Sequence, residues 1–241
     1  MAGLVSAQQV ESENIVGYQS QSTLSGKMDI VGVQFEGVGG TNISIQAIVP
    51  VSGFSTTGGD LIKIWNPLTR TYVSAYYYDT LYSADYNTTY GAGWGDIDQI
   101  KLDLTIDPGQ GFWITTAQNA TFMIAGQIVD KTANQVSTLS GKMDLVCNTF
   151  PVSMSIQDVV PVSGFSTTGG DLIKIWNAST RTYVSAYYYD TLYSADYNTT
   201  YGAGWGDIDQ IKLDTAIGAG QGFWLTTAQN AVASFTVPAG L

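Results

Sequence analysis

Along much of the chain apolar and polar residues alternate with a period of two, the pattern of half-buried strands. Asp60-Leu-Ile-Lys-Ile-Trp-Asn66 is strand-like and ends at Asn66-Pro67, a turn signal. Thr71-Tyr-Val-Ser-Ala-Tyr-Tyr-Tyr78 follows, with Tyr72, Ser74, Tyr76 and Tyr78 on one face and Val73, Ala75 and Tyr77 on the other. Residues 97–104 alternate again and predict a strand with Asp98, Ile100, Leu102 and Leu104 on one face. Residues 112–116 and 121–128 complete the set, separated by the polar Ala117-Gln-Asn119. Helical periodicity is hard to find. Short strands between clusters of Gly, Asn, Asp and Ser predict an all-β chain, a β-sandwich of jelly-roll or Ig-like type.

The pattern occurs twice. Residues 49–103 recur as residues 160–214, an offset of 111, with two differences, Pro67/Ala178 and Leu68/Ser179. Residues 22–29 recur as residues 137–144 at an offset of 115, because the first copy has a longer loop at 36–42 than the second at 151–153. Gly109-Gln-Gly-Phe-Trp113 returns as Gly220-Gln-Gly-Phe-Trp224. The expected organisation is an export-signal remnant or flexible arm at 1–12, one β-sandwich at 13–129 and a second, nearly identical one at 130–241.

Composition narrows the function classes. The 241 residues carry 9 Lys+Arg against 20 Asp+Glu, a net charge of −11, and no histidine. An acidic chain without a basic cluster does not neutralise a run of phosphates, so nucleic acid is not expected as a partner. Without His and with Cys147 alone, Ser/His/Asp and Cys/His catalysis and His- or Cys-based zinc sites are excluded. No apolar run reaches the ~18 residues of a membrane span. Cys147 follows Leu145-Val146 where the first copy has Ile30-Val31-Gly32, and reads as a small buried apolar residue rather than an intermolecular disulfide partner. Val5-Ser6-Ala7 fits the small-residue pattern of a signal-peptidase site, although a basic n-region and most of an apolar h-region are missing. The expected location is extracellular or at the cell surface.

The order of these pieces resembles a secreted β-sandwich repeat of surface proteins from Verrucomicrobia, Planctomycetes and related bacteria. The matching residues are Asn14-Ile-Val-Gly-Tyr18, Ser25-Gly-Lys-Met-Asp-Ile-Val31, Asp60-Leu-Ile-Lys-Ile-Trp65, Trp94 in a Gly-rich loop, Pro108-Gly-Gln-Gly-Phe-Trp113 and Ala125-Gly126. The second copy repeats most of them, with Ala219 in place of Pro108. The resemblance covers both copies through glycine turns and aromatic plugs. It implies export and a sandwich fold, and carries no defined activity.

Candidate chemistry is sparse. Asp79, Asp85, Asp96, Asp98 and Asp103, with Asp190, Asp196, Asp207, Asp209 and Asp214, are close enough in sequence to share one end of a sandwich. Asp96 and Asp98, like Asp207 and Asp209, are weak calcium candidates, since calcium takes oxygen ligands, but no stretch has EF-hand spacing. Otherwise no cofactor is expected. Paired carboxylates also raise glycoside hydrolysis, which a sandwich of about 110 residues has little room for, so no enzyme is expected. Tyr76, Tyr78, Tyr82 and Trp94, mirrored by Tyr187, Tyr189, Tyr193 and Trp205, are candidate ligand or interface aromatics: either a platform for sugar rings or packing residues with wet hydroxyls. Lys63 and Lys174 alternate with apolar neighbours and are expected either to snorkel or to enter a cross-link. Asn42, Asn87, Asn119 and Asn177 open sequons that read as polar turns.

The second copy stops about where residues 128–129 would continue in the first, which suggests an open sheet edge. Ile15, Val16 and Tyr18 of the N-terminal arm, with Phe235 and Val237 at the far end, are the candidate assembly residues for head-to-tail β-strand addition. The competing expectation is that Ile15-Val16 simply begins the first strand of its own domain. The leading functional expectation is a homopolymer, the structural subunit of an extracellular filament or surface layer. The alternative is a bivalent carbohydrate-binding or adhesive module with glycan partners.

Overall fold

The computed structural model describes residues 16–79, 81–128, 135–190 and 192–236. Residues 1–12 and the expected domain boundary at 129/130 lie outside them, as do Ile15 and Val237. In the first half the elements are β1 (Val16–Thr23), β2 (Met28–Gly32), β3 (Phe35–Glu36), β4 (Ile43–Ser44), β5 (Ile48–Ser52), β6 (Leu61–Asn66), β7 (Thr71–Tyr78), helix α1 (Ala84–Tyr90), β8 (Gly93–Gly95), β9 (Thr105–Ile106), β10 (Gly111–Thr115) and β11 (Ala120–Ile128). The second half has β12 (Gln135–Thr138), β13 (Met143–Cys147), β14 (Met154–Ser155), β15 (Val159–Ser163), β16 (Leu172–Asn177), β17 (Thr182–Tyr189), α2 (Ala195–Tyr201), β18 (Gly204–Gly206), β19 (Ala216–Ile217), β20 (Gly222–Thr226) and β21 (Ala231–Phe235). The fold is all-β, and every strand pair is antiparallel.

Each half is sandwich-like. One layer has the order β2-β10-β6-β7-β8, matched by β13-β20-β16-β17-β18. The other centres on β11 between β1 and β5, matched by β21 between β12 and β15. Alternation builds the core between the layers: Ile62 and Ile64 of β6, Ala75 of β7 and Phe112 and Ile114 of β10 meet Ile48 of β5 and Phe122 and Ile124 of β11. Ile173, Ile175, Ala186, Phe223 and Leu225 meet Val159, Ala233 and Phe235 in the same way. Trp94 fills the centre with no exposed surface, its Nε1 donating to the Ile48 carbonyl at 3.0 Å. Gln46 fastens that tryptophan's strand: its amide accepts from Trp94 N at 3.0 Å and donates to the Trp94 and Leu102 carbonyls. Gln157 does the same for Trp205.

One predicted strand is corrected here, and one unpredicted helix is added. Residues 97–104 do not form a strand, because the Asp96 carboxylate accepts the N–H groups of Asp98 and Ile100 at 3.0 and 2.8 Å and bends the chain back along β8. Helix α1, which alternation did not signal, begins at Ser83, whose hydroxyl accepts from Tyr86 N, and stops at Gly91, whose φ of 74° suits glycine. The side chains of Lys63 and Lys174 are not aimed at the core of their own halves. Each lies on the outer face of its sheet with Trp65 or Trp176, and Lys174 Nζ sits 6.0 Å from the Tyr183 ring centroid.

Those outer faces pack against each other with reciprocal contacts, the signature of an approximate two-fold axis. Trp65 meets Trp224 edge-to-face at 5.4 Å, and Trp176 meets Trp113 at 5.5 Å. Trp65 Nε1 donates to the Met143 carbonyl at 2.6 Å, and Trp176 Nε1 to the Met28 carbonyl at 2.7 Å. Lys142 Nζ reaches the Leu68 carbonyl, and Lys27 Nζ reaches the Ser179 carbonyl, both at 3.1 Å. Gly32 N donates to the Gly220 carbonyl, and Cys147 N to that of Gly109. Each edge-to-face pair adds about 0.5–1.5 kcal/mol beyond the area it buries.

On the axis itself the symmetry breaks. Gly32 and its counterpart Cys147 lie face to face, and a Cβ on Gly32 would overlap the Cys147 side chain. There is room for one side chain, and Cys147 supplies it. Its thiol is fully buried and its pKa is pushed up by that burial, so it is placed as a packing residue.

Candidate functional site

The region that stands out on the surface is the end of each half remote from the seam. Strand β7 leaves the seam at the 66–71 hairpin, where Arg70 donates to the Gly141 carbonyl at 3.2 Å. Its eight residues carry the chain about 25 Å to a tip. Two carboxylates shape that tip. Asp79 Oδ1 accepts from Leu81 N and Tyr82 N at 3.0 and 2.7 Å, and Asp96 Oδ1 accepts from Asp98 N and Ile100 N. These are Asx turns, in which a side-chain oxygen stands in for a backbone acceptor. They are tied together: Tyr78 Oη donates to the Asp96 carbonyl at 2.7 Å and Ser83 Oγ donates to Gln99 Oε1.

The turns hold apolar side chains out in water. Leu81 is 76% exposed, Ile97 69% and Ile100 54%, beside the half-exposed Tyr82 and Tyr90. Leu192, Ile208, Ile211, Tyr193 and Tyr201 repeat the arrangement in the second half. Beneath them runs an aromatic stack. Tyr82 lies parallel to Tyr78 at 5.6 Å, Tyr78 touches Tyr86 at 4.9 Å, and Tyr86 touches Tyr90 at 5.1 Å. Burial, with the neighbouring tyrosines adding to it, pushes the phenols of Tyr86 and Tyr197 up to about 12. They therefore stay neutral, and Tyr86 donates to the Trp94 carbonyl at 3.0 Å. Asp85 and Asp98 flank a shallow depression here with Gln99, whose φ of 62° is unusual for a side-chain-bearing residue.

The structure redistributes the candidate residues. Trp94, Trp205, Tyr78 and Tyr189 are core residues and offer no ring face to a sugar. Tyr82 and Tyr193 are half exposed at the tips, and Tyr76 and Tyr187 are partly buried on β7 and β17. Asp96 and Asp207 spend carboxylate oxygens on their own turns, while Asp98 and Asp209 point to solvent. Among the described residues no group of three or more His, Cys, Asp or Glu side chains converges as a metal site. Asn87 Nδ2 donates to the Asp79 and Ser83 carbonyls, and the carbonyl oxygens of Asn119 and Asn177 accept turn N–H groups, so these three sequons mark hydrogen-bonded turns.

The arm is corrected as well. Val16 and Tyr18 belong to β1, which pairs with β11 of its own half from Val16↔Gln127 to Thr23↔Ala120. A segment tethered next to its acceptor has a far higher effective concentration than one from another chain. Phe235 is buried in the second core and pairs with Val159, so β21 has partners on both sides and presents no open acceptor edge there. The outer edge strands β5 and β15 carry Pro50 and Pro161, residues that blunt further pairing.

Sequence reasoning missed Leu81, Ile97 and Ile100 as surface groups. The readable signals were Asp two residues before Leu81 and again before Asp98, and tyrosines four apart at 86 and 90 after Ser83. No helix among the described residues is long and apolar enough to cross a membrane. Comparison with protein-family models, with curated proteins and with solved structures finds no match for this chain.

Proposed function

We propose that the protein is a structural subunit of an extracellular filament or surface layer, built from copies of itself joined tip to tip. The observation that carries this reading is the repetition of one apolar tip, Leu81, Tyr82, Ile97 and Ile100 and their counterparts, in both halves of a chain locked together at the seam. Large apolar side chains grouped on a surface mark contact sites. A tip that meets its own kind makes a two-fold contact, and two such tips per chain give an open polymer rather than a closed dimer. The structural role, the extracellular setting and the self-partner belong to the proposal together. The resemblance to bacterial surface repeats fits that setting.

The acidic residues beside each tip, Asp85 and Asp98, oppose a tip-to-tip approach. Assembly therefore strengthens with salt, which screens like charges within about 8–10 Å at 0.1–0.15 M. The test is sedimentation velocity over a range of protein and salt concentrations, with electron microscopy of the largest species. The expected result is a mass that grows with both, and that stays at one chain when Ile97 and Ile208 are both changed to Asp. A native chain that remains monomeric in high salt would remove the proposal.

A further inference from the structure

A cleft lies on one side of the seam. It has a volume of 310 Å³, and its lining includes Trp65, Pro67, Asp107, Val136, Asp144 and Leu145. At the symmetry-related place the space is filled: Gln19 and Gln21 lie against Gly220, and Gln21 Nε2 donates to the Ala219 carbonyl at 3.1 Å. Gly109, the counterpart of Gly220, has room instead. A Cβ there would find Thr149 Cγ2 at 3.5 Å and Val136 Cγ1 at 3.8 Å. Val136 stands where the first half has Gln21, Asp107 where the second has Gly218, and Pro67 where it has Ala178. These three differences between the halves thus lie at this cleft.

Its chemistry is one-sided. Asp144 is 8% exposed and accepts one hydrogen bond among the described residues, from Leu139 N at 3.3 Å. Asp107 is exposed, and among the described residues no Lys or Arg lines the cleft. Of the nearby cations, Lys142 donates to the Leu68 carbonyl while its charge still favours the ionised Asp144, and Arg70 donates to the Gly141 carbonyl. The remaining wall combines Trp65, Pro67, Val136 and Leu145 with the polar Gln110, Gln135 and Ser137. Anions are repelled here, and a neutral polyol leaves a buried carboxylate uncompensated.

We propose that this cleft binds a primary alkylammonium ion, with its –NH₃⁺ on the Asp144 and Asp107 carboxylates and its methylenes against Trp65, Pro67 and Val136. Attraction of a cation to an indole ring adds to the carboxylate contacts. Burial pushes Asp144 up to about 6, so binding weakens as the pH falls below that value and the carboxylate is protonated. The ion is either a free amine or the side chain of a lysine in a polypeptide.

The test is titration of the full chain with n-butylammonium chloride, against sodium chloride at matched ionic strength, followed by tryptophan fluorescence and calorimetry. Saturation at one site per chain is expected, at least about tenfold weaker at pH 5 than at pH 7.5 and in Asp144→Asn. Val136→Gln installs the side chain that fills the opposite side, and it should block binding without lowering the melting temperature. Tighter binding of Nα-acetyl-lysine methylamide than of butylammonium identifies the polypeptide source, and the reverse identifies a free amine. No saturable response, an equal response to n-butanol, or pH-independent binding by the native chain overturns the proposal, whatever the variants do.

Discussion

The two halves of the chain share 53 of 55 residues across 49–103 and 160–214, yet Gly32 in one faces Cys147 in the other. Where a residue meets its own counterpart, two identical side chains compete for one space. Away from the axis the tryptophan contacts are made twice between non-equivalent residues, Trp65 with Trp224 and Trp176 with Trp113, so identity costs nothing there. The comparison teaches that the tips and the off-axis tryptophan contacts repeat because nothing opposes it, while on the axis two-fold packing of a single chain forbids identity.

The strongest way to break the comparison is to empty a core. Trp94→Ala and Trp205→Ala should each cost about 3–5 kcal/mol in urea unfolding, nearly equally, because each indole is fully buried and bonded to an equivalent carbonyl. Unequal costs would mean that the halves are not equivalently packed.

The axis comes next. Gly32→Cys alone should destabilise the chain by about 2–3 kcal/mol, the cost of overpacking. Exchanging the pair, Gly32→Cys with Cys147→Gly, should recover most of that loss, giving a coupling energy above about 1 kcal/mol. Simple addition of the two single effects would contradict a shared site on the axis.

The smallest effect sharpens the contrast between Asp29 and Asp144, counterparts that are both raised by burial. Asp29 accepts from Ile30 N at 2.9 Å, whereas the bond from Leu139 N to Asp144 is 3.3 Å, and Asp144 is pushed up to about 6 from 3.8. A carboxyl whose folded value lies above its unfolded one binds protons more readily when folded, so it favours the fold as the pH falls through that window. Between pH 7 and pH 4 the native chain should therefore gain on the order of 1 kcal/mol relative to Asp144→Asn, with solvent screening allowed for. Urea midpoints at the two pH values measure the difference, and identical pH profiles would contradict the assignment.

Much of the fold was legible in the residues. Strand β7 spans Thr71–Tyr78 as its alternation predicts, and β6 falls within a residue of expectation, because each buries one face; β10 also falls within a residue, although residues 111–114 are buried on both faces. The seam was not legible, since the outward Trp65 and Trp113 alternate just as core residues do, and only the partner sheet distinguishes the two faces. The tips were misread for a related reason. A carboxylate that accepts two backbone N–H groups outweighs the pull of Ile97 and Ile100 toward a strand, and periodicity does not register that competition. The tyrosine run looked like a surface platform because period two places alternate rings outward, but α1 folds over the strand end and covers Tyr78.

The most direct test of the account is the mass distribution of chains with one tip spoiled. Ile97→Asp and Ile208→Asp, made separately, each leave one working tip, and surface changes of this kind cost little stability, within about 0.5 kcal/mol. Sedimentation velocity in salt that assembles the native chain should show each single variant stopping at dimers. Single variants that polymerise like the native chain, or a native chain that never exceeds one copy, would contradict the claim that the protein is a two-tipped building block.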